Sequence, residues 1–122
     1  MSIKGSPHAR FRRALLTGNP TLVLAAAAEL PRVDLADALA ILLVLLDGRS
    51  PRYDRAAVRW HGRLCLEVRG LSLGDAGLAL AALQALPGSH ADAAAAALRT
   101  LVDARGHPQL GEALTRWSAR QE

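Results

Sequence analysis

The run DLADALAILLVLLDG, from Asp34 to Gly48, decides the fold. Between Leu35 and Leu46 every residue except Asp37 is apolar, and most are leucine or alanine, the two best apolar helix formers. Nothing in it alternates with the period of two that a half-buried strand requires. Asp34 stands at the N-cap position, Asp37 places a carboxylate near the positive end of the helix dipole, and Gly48 offers a C-cap. A helix that is apolar around its whole circumference belongs inside a protein, surrounded by others. The remaining sequence must therefore supply several more helices.

Reading outward from this run, the start and stop signals recur. Thr17-Gly18 ends a first helix, and Asn19-Pro20 opens a second with an N-cap and a proline at the first helical position. Pro31 closes it. Downstream, Ser50-Pro51 opens a long fourth helix reaching about Arg69, ahead of Gly70. Ser72 with Asp75, and Ser89 with Asp92, open the fifth and sixth. Gly106 and His107-Pro108 separate the sixth from a seventh. The expected class is all-α, with about seven short helices. They form either an irregular helical bundle or a degenerate, solenoid-like stack of α-hairpins. The stack is suggested by a shift of 38 residues, which lays Asp34-Leu-Ala-Asp-Ala on Ser72-Leu-Gly-Asp-Ala and Leu42 and Leu45 on Leu80 and Leu83. The same shift sets Trp60 on Leu98 and Leu64 on Val102. Chance matches are frequent in a chain this rich in alanine and leucine, and Asn19-Pro20 echoes Ser50-Pro51 at a different spacing.

Composition supports this. Alanine and leucine supply 48 of 122 residues, and only 3% are aromatic. The length suits one globular domain over residues 8–122, preceded by a flexible tail, residues 1–7. Met1 to Pro7 is polar, with no apolar run behind it of the kind a signal peptide needs. Ala38 to Leu46 is the longest uninterrupted apolar run of the first half, far short of the about 20 residues a membrane span needs. One cysteine forms no internal disulfide, so a reducing, cytoplasmic setting is expected.

The net charge of +4 is unevenly placed. Lys4, Arg10, Arg12 and Arg13 stand in the first 13 residues without an acid. Residues 49–69 hold six arginines against Asp54 and Glu67. At about 100° per residue, Arg52, Arg55, Arg59 and Arg63 share an arc of roughly 80° on the fourth helix. Tyr53, Ala57, Trp60, Leu64 and Val68 occupy the adjoining arc and are expected to face the core. Fourteen of the fifteen bases are arginine, suited to bidentate contact with phosphate or carboxylate. Arg10, Arg12, Arg13, Arg52, Arg55, Arg59 and Arg63 are thus the candidate polyanion-binding residues. A solvated helix face is the plainer explanation of the same pattern.

Catalytic and metal chemistry find little support. His8, His61, His90 and His107 are scattered, and no HExxH or CxxC occurs. His61 and Cys65 share one helical face, where a packed histidine and a small apolar cysteine account for them. The serines and first-turn aspartates stand where capping explains them. A recognition helix for DNA is excluded for Leu73 to Leu86, which carries no base. No cofactor is expected, no small-molecule substrate and no membrane partner.

What is left is a charge-poor surface. Besides the third helix, the second, fifth and sixth are nearly uncharged, and a domain this small encloses one helix centrally but not four. Some apolar face should stay outside, and exposed apolar area marks an interaction site. Leu73, Leu78, Leu80, Leu83 and Leu86 of the fifth helix are the candidates. The expected function is a non-enzymatic protein-interaction module, self-associating, with a homodimer favoured, or a small subunit of a larger assembly. The alternative is a nucleic-acid- or polyanion-binding accessory protein that uses the arginines.

Overall fold

In the computed structural model, which describes residues 5–121, seven α-helices follow one another with no strand among the described residues. They are α1 (Pro7–Thr17), α2 (Pro20–Ala28), α3 (Leu35–Asp47), α4 (Tyr53–Glu67), α5 (Leu73–Ala85), α6 (Ala91–Ala104) and α7 (Pro108–Arg120). The chain is all-α, as expected, and none of these helices is long and apolar enough to cross a membrane. The anticipated tail, residues 1–7, falls partly outside the described residues. Of its remainder, Ser6 caps α1 by accepting from the Ala9 N–H, and Pro7 is the first helical residue.

Most helix ends follow their capping chemistry. Asn19 Oδ1 accepts from the Thr21 and Leu22 N–H groups at the start of α2, and Asp34 Oδ1 from Asp37 at the start of α3. Ser72 and Asp75 form a reciprocal capping box at α5. Two expected starts are corrected. Ser50 accepts the Arg52 N–H on its hydroxyl and the Tyr53 N–H on its carbonyl, which makes a turn, so α4 begins at Tyr53. At α6 the N-cap position is His90 rather than Ser89, and its side chain makes no capping bond. Gly48 ends α3, but with φ of −80° rather than left-handed. Its missing side chain answers a close approach instead, since a Cβ there would meet Pro20 Cγ at 2.8 Å.

The chain forms two compact units, Met1–Tyr53 and Asp54–Glu122. In the first, α1, α2 and α3 pack on one another, with Phe11, Val23 and Val44 buried together. Ala14, Leu15, Ala26, Ala27, Leu30 and Ile41 pack around them. The unit's rim carries an Arg10–Glu29 ion pair at 2.8 Å, and His8 Nε2 lies 3.4 Å from Asp37 Oδ2. No residue of α3 from Leu35 to Leu46 is exposed, as its composition required.

In the second unit α6 packs against both α5 and α7. Ala82 and Leu83 of α5, Leu98 and Val102 of α6, and Leu114 and Trp117 of α7 are buried. Gly111 lets α7 approach α6, because a Cβ there would overlap the Asp103 carboxylate. His61 Nε2 lies 2.8 Å from the Ala76 carbonyl oxygen and ties α4 to α5.

The 38-residue shift survives in the helix boundaries. α3 and α5 start at residues 35 and 73 and both contain 13 residues, while α4 and α6 start at 53 and 91. Along α4 and α6 the pattern of burial repeats too. Ala57, Trp60 and Leu64 are buried, and so are Ala95, Leu98 and Val102, their counterparts.

Candidate functional site

Along α3 and α5 the repeat breaks, and the break defines the candidate surface. On α3, Leu35, Leu39 and Leu42 lie on one face and are buried. The positions 38 residues on are Leu73, Gly77 and Leu80. Leu73 is 91% exposed and Leu80 41%, and Gly77 has, beyond its chain neighbours and its own helical backbone, no atom of the described residues within 4 Å of where its Cβ would be. The helical period places Gln84 on the same strip, so this outer face of α5 carries no charge over three turns. Leu78, 46% exposed, points away from that strip on the far side of Ala81.

Five leucines were expected to form this surface; the structure exposes three, and two of them, Leu73 and Leu80, lie on the strip. Leu83 and Leu86 are buried in the fold, on the side of α5 that also holds Ala79 and Ala82. The reason is helical phase. Residues 79, 82, 83 and 86 fall at i, i+3, i+4 and i+7, which is one face, and Leu73 and Leu80 lie more than a quarter turn from its centre. Count of leucines suggested one broad patch; the wheel divides them between a core face and an outer one.

The start of α5 is anchored. Asp75 accepts from the Ser72 backbone N–H at 3.1 Å and pairs with the Arg105 guanidinium. The Ser72 N–H, acting against partial desolvation and aided by Arg105, holds the Asp75 carboxyl below its usual range.

The arginine surface contracts in the structure. Arg10 pairs with Glu29 and also donates to the Gly5 carbonyl. Arg12 and Arg13 lie exposed on α1. Arg52 sits in the turn before α4, so it does not share the helix face with the others. Arg63 is held by Glu67 one turn on, with Nε–Oε2 at 2.7 Å. Arg55 and Arg59 are exposed, with no ion-pair partner among the described residues. The core arc of α4 is as expected, with Tyr53, Ala57, Trp60, Leu64 and Val68 all buried.

One residue of α4 departs from the sequence reading, and two further exposed apolar residues add to its surface. Cys65 is exposed rather than packed, its Sγ 3.8 Å from His61 Nε2. Val58 is 64% exposed and Leu66 88%. Leu66 was overlooked although its signal was present: at about 100° per residue it falls inside the arc of Arg55, Arg59 and Arg63.

No group of three or more His, Cys, Asp or Glu side chains able to hold a metal occurs among the described residues. A shallow groove beside α6 and α7 is lined by charged side chains of both signs, Arg99, Asp103, Glu112 and Arg116, together with Pro108, Gly111 and Thr115. Comparison of the chain with protein-family models, with curated proteins and with solved structures finds no match.

Proposed function

We propose that this chain is a non-enzymatic helical interaction module that pairs with a second copy of itself through the outer face of α5. One observation carries the reading: the face of α3 formed by Leu35, Leu39 and Leu42 is covered, and its equivalent on α5 is bare. A helix surface with leucines and no charge is costly to leave in water, by about 25 cal/mol for each Å² of apolar area. The strip also has an approximate twofold pattern. Leu73 and Leu80 stand four and three residues either side of Gly77, so two antiparallel copies of α5 can cross at Gly77 with each leucine beside one from the other helix. Such isologous pairing is the commonest route to a closed oligomer.

Polyanion binding is the weaker reading, because Arg10 and Arg63 are paired within the chain and Arg52 stands off the helix. The two guanidiniums of α4 without an ion pair among the described residues, Arg55 and Arg59, release few counterions on DNA by themselves. An exposed thiol at Cys65 suits a reducing compartment.

Light scattering over micromolar concentrations tests the proposal. The expected result is a dimer, dissociated by Leu73→Glu and Leu80→Glu with helical circular dichroism unchanged. A monomer at every concentration overturns it. So does unfolding of both variants, which would make those leucines part of the core.

A further inference from the structure

We propose that the exposed face of α4 is a second, separate docking surface, and that its occupant is an acidic amphipathic helix of another protein. The face holds Gly62, Arg55, Leu66, Arg59 and Arg63 within an arc of about 100°. Its electrostatics are one-sided. Glu67 answers Arg63, and Arg55 and Arg59 have no carboxylate partner among the described residues. These two stand one turn apart, so carboxylates one turn apart on a facing helix match them.

Charge alone fits any polyanion, and two further features select a protein helix. Leu66 projects from the middle of the arginine arc and is 88% exposed. Beside it, one turn back, Gly62 leaves open space, with nothing within 4 Å of a Cβ built there. Glycine in a helix interior is destabilising relative to alanine, and no side chain of the described residues uses the room it provides. A protruding leucine next to a hollow gives an incoming apolar side chain a place to pack, with arginines at its edge. A phosphate backbone offers nothing that buries Leu66. An acidic helix with one large apolar residue satisfies all of these features together.

The test uses the full chain and fluorescence anisotropy. The probe is a labelled helical peptide with two Glu one turn apart and a Leu on the same face. The controls are the same composition in scrambled order and a labelled DNA duplex. The ordered peptide should bind at least about tenfold more tightly than the scrambled one. Leu66→Ser should weaken it about tenfold, as loss of one buried leucine does. Arg55→Gln with Arg59→Gln should weaken it and flatten its salt dependence. Circular dichroism checks that each variant remains folded, and light scattering that Leu66→Ser leaves the mass unchanged, which separates this face from the one on α5. Equal affinity for both peptides, indifference to Leu66→Ser, tighter binding of the duplex, or no binding of the ordered peptide at about a millimolar overturns the proposal.

Discussion

α3 and α5 are equal in length, begin with the same kind of cap, and lie 38 residues apart in corresponding positions. Both are poor in charge. One has no exposed residue from Leu35 to Leu46, and the other shows water an uncharged face. The difference lies in side-chain volume rather than in polarity. α3 has Leu39, Leu42, Leu43 and Val44 where α5 has Gly77, Leu80, Ala81 and Ala82. Large side chains around the whole circumference leave a helix no surface it can expose cheaply. Small ones let it keep one buried face, built here on Ala79, Ala82, Leu83 and Leu86, while the other stays outside.

The largest expected effect breaks the comparison most directly. Leu39→Ala and Leu42→Ala in α3 should each cost about 2–5 kcal/mol, because both side chains are almost fully buried. Leu73→Ala on α5 should stay within about 0.5 kcal/mol for the monomer, as exposed sites do. Urea denaturation at low protein concentration measures both. Similar costs on the two helices would show that the faces do not differ. Next in size are the caps. Asp34→Ala and Ser72→Ala should each destabilise by about 1 kcal/mol, and the reciprocal box makes Ser72 the more costly to lose.

Gly77→Ala sharpens the comparison further, since it should raise monomer stability by about 0.4–1 kcal/mol, the site being open and its φ ordinary. The same change should weaken self-association by holding the crossing helices apart. Thermal melts and light scattering on one sample read the two effects, and a variant that gained on both counts would remove Gly77 from the contact. The smallest effect is in pH. Asp75 has a lowered folded pKa, so its contribution is complete above the ordinary carboxylate value of about 3.9 and is lost as the pH falls through the lowered one. Asp75→Asn should therefore show a shallower loss of stability in acid than the wild type. An unchanged acid limb would mean that the cap and Arg105 do not favour the ionised carboxyl.

The sequence was most informative where chemistry is local. The caps at Asn19, Asp34 and Ser72 and the buried arc of α4 could be read from adjacent residues, because each depends on atoms within about one helical turn. It was least informative at Ser50 and Ser89, where a serine suited to capping is used as a turn or left unused. Arg63 and Arg10 show the same limit in opposite ways. The Glu67 partner of Arg63 is four residues away and was legible; the Glu29 partner of Arg10, at the C-cap of α2, is 19 residues away and was not.

Composition, capping residues and the 3.6-residue period are properties of neighbouring positions, and by themselves they determined that this chain is all-helical, where most helices begin, and that α3 is enclosed. Which face of α5 is bare, which leucines are core, and which arginines are already neutralised depend on what lies opposite across the packed interior. Burial and pairing are relations between segments far apart in sequence, so only the tertiary structure, which brings those segments together, decided them.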